Sequence, residues 1–327
     1  MKKNITAFHV IAAFLFLFYN ADKSTPLKKP FPIQFAISET KIIEKISQKN
    51  QDFSRLIPGN LKTYIYNNER DYYEQYQQSF FALTSKKGGW DCMRHYEILA
   101  NGCIPYFEDI DSCNPNTLFM FPKSLIKEAM NLEGVSRLKI DHSKFNEKKY
   151  YEILNKLLNY TRQYLTTKNM ATYLLKTVGY NGNGTILLLS VNSYPNYLRD
   201  SILIGLKEIF PETIIDYPKI EHIYTNYLGN TNQLYGKGFS YTKIVEEIPV
   251  KRDDIENRIK NKEFDLIIYG AVHHELPFHD LVLQHYPSEN IVYMCGEDFH
   301  TYNSHKVNCS FAYLSNFFLR EFDGYMD

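Results

Sequence analysis

The stretch from Ser79 to Asp109, SFFALTSKKGGWDCMRHYEILANGCIPYFED, constrains this chain more than any other. Ser79 to Thr84 is aromatic and β-favouring, and predicts a strand. Lys86-Lys87-Gly88-Gly89 breaks that run with residues that tolerate unusual backbone angles and carry charge. Asp91 is a good N-cap for a helix starting at Cys92, and Gly102 stands where a helix ends on a left-handed residue. Cys103 to Phe107 is a short apolar run of the kind that forms a buried strand. Together these predict a βαβ unit with a sharp first crossing, the place where open α/β sheets bind ligands.

The helix in that unit is chemically two-sided. At about a hundred degrees per residue, Cys92, Tyr96, Leu99 and Ala100 share one side, and Arg94, Glu97 and Asn101 the other. Two lysines, free backbone N–H groups and the positive end of the helix dipole converge ahead of it. That is an anion site suited to a phosphate or diphosphate. An ordinary amphipathic helix with a solvated polar face is the competing reading.

The remaining pattern is α/β throughout. Phe31 to Ser38 and Leu61 to Asn67 read as strands, and Glu39 to Gln48 and Glu69 to Gln78 as helices. Ser143 to Tyr164 is the clearest helix, with Ile153, Leu154, Leu157, Leu158 and Thr161 on one face, and a further helix covers Thr166 to Lys176. YNGNG at Tyr180–Gly184 is a linker signal and sets the boundary between two halves. Beyond it, Thr185 to Val191, Thr213 to Tyr217, Asp265 to Tyr269 and Asn290 to Met294 read as strands. They alternate with helices at Tyr197–Phe210, Asp253–Lys262 and Asp280–His285. The expected organisation is an N-terminal segment (1–30), a first Rossmann-like half (31–180) and a second (185–327).

Composition narrows the partners. A chain of 327 residues suits two domains, and a formal net charge of +0 gives no reason to expect nucleic acid or an anionic membrane surface. Any phosphate site must therefore be a local concentration of charge. The five cysteines, Cys92, Cys103, Cys113, Cys295 and Cys309, have no metal-binding spacing and read as reduced thiols. Lys2-Lys3 followed by an apolar run over residues 5–21 resembles a signal peptide or a single membrane anchor, though it is shorter than a typical span of ~20 residues. A buried element of the first half is the alternative, so a cytoplasmic and a membrane-associated chain are both open. Sequons at Asn4, Asn159, Asn183 and Asn308 matter only in a secretory lumen.

The string GGWDCMRHYEILANGCIPYF resembles the donor-binding motif of exostosin-like glycosyltransferases and of related viral and microbial GT-B enzymes. The similarity runs through most of the chain beyond the N-terminal segment. It implies an α/β fold of two Rossmann-like domains and a nucleotide-sugar donor, which is a substrate rather than a cofactor. It also implies a glycan or other hydroxyl acceptor. Carried over, Arg94 neutralises the diphosphate and Glu97 accepts from the ribose; with Lys86, Lys87, Gly88 and Gly89 of the anion-binding turn they are the candidate donor-binding residues, and no base-reading residue matches. The order of the halves departs from that family, because the donor-side half comes first here. The C-terminal SNFFLREFDGYMD resembles a segment that normally precedes a stretch such as Phe31–Ser38. A circular permutation, a fragment of a longer or tandem protein and a shifted reading frame each fit.

Glycosyl transfer with inversion needs an acidic or imidazole base and cations for the leaving diphosphate. His273, His274 and Asp298, with Glu275 and Glu297, stand at the expected carboxyl ends of strands and are the candidates for the base. A polar loop after a strand accounts equally for the histidines, and a turn cap for Glu297 and Asp298. Lys237 between two glycines is either a phosphate-binding nest or a flexible turn. Asp109-Ile110-Asp111 has metal-motif spacing but lies in a turn-rich loop, so no metal is expected. The leading expectation is a glycosyltransferase. The alternative is a non-catalytic nucleotide-sugar or glycan-binding module, or part of a tandem enzyme.

Overall fold

A computed structural model describes residues 29–298 and 316–323 of the chain. The apolar segment 5–21 lies outside the described residues. Among the described residues no helix is long and apolar enough to cross a membrane.

The architecture is mixed α/β, built on a six-stranded and a three-stranded parallel sheet. The smaller sheet has strands in sequence order: β2 (Gln51–Phe53), β3 (Ser79–Thr84) and β4 (Ile104–Phe107). Helix Glu69–Gln77 connects the first pair and helix Met93–Ala100 the second. An antiparallel pair, β5 (Val135–Ser136) with β6 (Lys139–Ile140), lies outside both sheets.

The larger sheet contains β1 (Phe31–Pro32), β7 (Ile186–Leu189), β8 (Ile214–Tyr217), β9 (Leu266–Tyr269), β10 (Ile291–Cys295) and β11 (Asn316–Leu319). Its order is β1-β11-β10-β9-β7-β8, so the chain leaves β7 in one direction and returns on its other side at β9. Every residue of β7, β9 and β10 is buried. Alternation assigns them to two faces: Ile186, Leu188, Ile268, Val292 and Met294 to one apolar cluster, and Leu187, Leu189, Ile267, Tyr269 and Tyr293 to another. Helices cover both faces, which is why these strands read as unbroken apolar runs. Each fully buried aliphatic side chain contributes roughly 1.5–3 kcal/mol.

The first of those clusters continues into the smaller sheet through Phe53, Phe81, Ile104 and Phe107, so one apolar core joins both sheets. Residues 31–41 and 166–177, grouped by sequence with the first half, pack with the larger sheet. β1 pairs with β11, and Ile37 bridges to Thr166. Helix Thr167–Thr177 lies against helix Tyr197–Ile209 so closely that a β-carbon at Gly205 would collide with the Thr167 carbonyl.

Two expected elements are not formed. Glu39–Gln48 contains only a 3-10 turn at Glu39–Lys41. Its backbone is then drawn open, with the Ile43 N–H on the Ala100 carbonyl and Ile43 against Gly102. Leu61–Asn67 is not a strand but a 3-10 turn at Leu61–Thr63 followed by irregular chain, with Leu61 and Ile65 exposed. In the first case tertiary contacts of Ile43 replaced the helical bonds, and in the second the apolar pattern had no neighbouring strand to pair with.

Candidate functional site

The βαβ unit forms as its sequence predicts, with one shift. The helix starts at Met93, and its N-cap residue Cys92 makes no side-chain cap bond. Asp91 does not cap it: its carboxylate accepts from the Phe35 N–H at 2.7 Å and the Tyr96 hydroxyl at 2.8 Å, tying the turn to the chain after β1. Gly102 ends the helix with φ of 62°, the left-handed conformation that favours glycine. All eight helical residues are buried, so the polar side is not a solvated face.

The glycine turn faces protein acids. Lys86 pairs with Asp323, which also accepts from the Trp90 indole N–H. Glu321 accepts from the Asp91 N–H at 2.8 Å and from Arg320 at 2.9 Å. Arg320, fully buried, also binds Asp298 and the Gly296 carbonyl and lies over the Phe35 ring. β-Carbons at Gly88 and Gly89 would collide with the Asp298 and Glu321 carboxylates respectively. Glycine lets acidic side chains from the larger sheet approach the turn this closely, and a β-carbon there would displace those carboxylates. Burial raises the Glu321 carboxyl to about 7 and Asp91 to about 6, with Arg320 opposing both shifts. One Glu321 oxygen, Oε2, is buried without a hydrogen-bond partner.

The helix's polar side opens instead on a cavity of about 360 Å³ between the two sheets. Lys87, Cys92, Arg94 and Glu97 line it from the βαβ unit. Tyr64, Tyr66 and Tyr72 flank them, and Tyr197, Tyr235, Gly236, Lys237 and Phe239 form the opposite wall. Arg94 is 7% exposed, and among the described residues no carboxylate lies within ion-pair distance of it. Its Nη1 donates to the Tyr64 hydroxyl at 2.9 Å and Nη2 to Thr84 at 3.4 Å, while Nε is buried with no partner. Lys87 sits over the Tyr64 ring, 5.6 Å from its centroid. The Glu97 carboxyl one turn away feels the Arg94 charge without forming an ion pair with it, so an anion in the cavity would complete a compensation that is only partial.

Glu97, 6% exposed, accepts from the Tyr72 hydroxyl at 2.8 Å and from Ser240. Burial raises its carboxyl above the ordinary range, and those two donors oppose the shift. Ser240 belongs to a segment in which Gly236, Lys237, Gly238 and Ser240 all have positive φ. The Lys237 ammonium donates to the Tyr66 carbonyl at 2.6 Å and to Asn67 at 2.8 Å. Lys237 is thus a tether between the halves, held by neutral oxygens that leave its charge facing the same cavity.

The three candidates for the base sit apart from this cavity's lining. His273 follows β9, half-buried, with its ring 4.2 Å from that of exposed His274. Burial, with His274 and Arg320 nearby, lowers His273 to about 4, and its Nδ1 is buried without a hydrogen-bond partner. Asp298 follows β10 and meets Arg320 and Gly88. The crevice between β7 and β9, where the strand order reverses, is filled by Arg199. That side chain packs on Gly270 and bonds Asp200, Ser190 and the Asn192 and Tyr194 carbonyls. Among the described residues no group of His, Cys, Asp or Glu is arranged to hold a metal. Cys92, Cys103 and Cys113 are free thiols.

Sequence reasoning missed Ser240, Tyr197 and Tyr235, which come from loops and a helix start with no motif of their own. It also missed Arg320, Glu321 and Asp323 as a group. Their position just past the apolar run Asn316–Leu319, at the carboxyl end of a parallel strand, is the signal that marks them. Comparison of the chain with protein-family models, with curated proteins and with solved structures finds no match.

Proposed function

We propose that the protein is a glycosyltransferase that takes its sugar from a nucleotide-sugar donor, with the donor in the cavity between the sheets and a hydroxyl-bearing acceptor. The observation that carries this reading is Arg94, a buried cation without a carboxylate partner that lines an aromatic cavity. The resemblance of residues 88–107 to the exostosin-like donor motif supports it, since that motif assigns the diphosphate to the same arginine. Glu97 beside it supplies a hydroxyl acceptor, and the tyrosines offer flat faces for a base or a sugar. Two parallel α/β sheets joined by one core are compatible with a GT-B arrangement. The parallel pairing of β1 with β11 supports a permuted order of its parts.

On this reading the diphosphate sits between Lys87 and Arg94 on the cavity side, because acids occupy Lys86 and the glycines. Arg94 stabilises charge developing on the leaving diphosphate. Calorimetric titration with UDP- and GDP-sugars is the test. Arg94→Ala and Glu97→Gln both weaken binding; unchanged affinity in both refutes the assignment. A non-catalytic binding module is the second reading, favoured by the absence of His273, His274 and Asp298 from the cavity lining. Donor turnover over a panel of acceptors separates the two.

A further inference from the structure

The wall of the cavity opposite Arg94 is an unusual piece of chain. From Gly236 to Ser240 four of five residues have positive φ, among them the non-glycine residues Lys237 (57°) and Ser240 (74°). Such conformations cost of order 1 kcal/mol each and persist where surrounding contacts hold them. Local bonds hold part of it, with the Lys237 N–H on the Leu234 carbonyl and the Thr242 hydroxyl on the Gly238 carbonyl, and the side-chain contacts of Lys237 and Ser240 reach across the cavity. Lys237 binds the Tyr66 carbonyl and Asn67. The Ser240 N–H binds Glu69 at 2.6 Å, and the Ser240 hydroxyl binds Glu97 and meets the Tyr73 hydroxyl at 2.9 Å. Phe239 packs on Tyr72, with ring centroids 5.4 Å apart.

Glu97 is the shared element. It lines the cavity, and both of its oxygens are engaged, Oε2 by the Tyr72 hydroxyl and Oε1 by the Ser240 hydroxyl from the opposite wall. A ligand hydroxyl bonding to Glu97 from within the cavity competes with Ser240 for that oxygen. We propose that residues 235–240 form a ligand-responsive strap: Ser240 occupies on Glu97 the place of a ligand hydroxyl, and exchange of one hydroxyl for the other releases the strap. The trade is one hydrogen bond for another, so its net cost is small, but it removes a contact that holds two left-handed residues in place. Occupancy of the cavity is thereby coupled to the grip between the two sheets. Ser240 is a positioning residue, and Lys237 is the second fastening. The inference rests on the donor reading above for the identity of the ligand hydroxyl.

Hydrogen exchange of the amides of residues 236–241 in the full chain tests this, with UDP-glucose, UDP-galactose and GDP-mannose as probes and binding followed in parallel. In the wild type, a probe that binds accelerates exchange in this segment by about fivefold or more, the effect of one lost hydrogen bond. S240A shows the accelerated exchange without probe and binds the probe about fivefold more tightly, because the competitor is gone. K237M, which loosens the strap without touching Glu97, shows fast exchange and responds further to the probe. Binding with unchanged or slowed exchange, or weaker binding by folded S240A, overturns the strap and leaves the donor reading standing. No binding by any probe to the folded wild type overturns the donor reading and the ligand exchange with it. Wild-type-like exchange in probe-free S240A overturns the hold by Ser240 independently of any ligand.

Discussion

Lys86 and Arg94 lie eight positions apart in one strand–turn–helix unit and meet opposite surroundings. Lys86 is paired with Asp323, and the turn around it is pressed by Asp298 and Glu321. Arg94 is more deeply buried and has only hydroxyl partners, with Nε left over. A cation already neutralised by its own protein has little to offer an incoming anion; one buried without a counter-charge has much. The difference places the anion-binding potential on the helix face rather than on the glycine turn.

The comparison breaks most visibly at Arg320, the buried cation that compensates the acids around the turn. Arg320→Leu leaves the Glu321 and Asp91 carboxyls buried beside Asp298 without their counter-charge, and costs about 3–5 kcal/mol of stability. Denaturant unfolding measures it; a loss below about 1 kcal/mol would show that the clamp is not held by this charge. Arg94→Ala is the opposite case. It retains or gains stability and loses roughly 30- to 150-fold in affinity for a nucleotide diphosphate, the worth of about 2–3 kcal/mol of charge-assisted bonding. Equal affinity for both proteins in calorimetry would remove Arg94 from the site.

Glu321 sharpens the comparison through pH. Its folded carboxyl stands near 7 against an ordinary 4.5, so the fold prefers the protonated form. Stability from this group is fully present below about pH 4.5 and is lost as pH rises through about 7. Buried His95 and His273, both held neutral, act in the opposite sense below their ordinary value of 6.5. The difference between E321Q and wild type isolates the carboxyl: the variant gains on the order of 1–2 kcal/mol relative to wild type between pH 5 and pH 8. A pH-independent difference in thermal unfolding would contradict the buried position of Glu321. The smallest effect belongs to Lys86→Ala. A partly exposed pair contributes roughly 0–1 kcal/mol, and diphosphate affinity changes less than about threefold. A large loss of affinity in that variant would return the anion to the glycine turn.

Much of the backbone was legible in the sequence. The strands Ser79–Thr84, Ile186–Leu189 and Leu266–Tyr269 are apolar runs buried on both faces. The helix Glu147–Tyr164 carries its six buried residues, Tyr150 and the five expected from Ile153 to Thr161, at helical spacing. Local chemistry suffices for such elements, because periodicity and turn residues act within a few positions. It failed at Leu61–Asn67, where an apolar pattern had no strand to pair with. It also failed at Asp91, whose carboxylate found Phe35 and Tyr96 in place of the helix start.

The site divides in the same way. Residues 79–109 by themselves determined a βαβ unit that carries Lys86, Lys87, Arg94 and Glu97 on a turn and one helix side. Which of these charges is left for a ligand was decided only in three dimensions. Asp323 lies 237 positions from Lys86, Glu321 230 positions from Asp91 and Ser240 143 positions from Glu97. Electrostatic compensation depends on distance in space, and the strand order of the larger sheet brings those acids to the turn while leaving Arg94 without one.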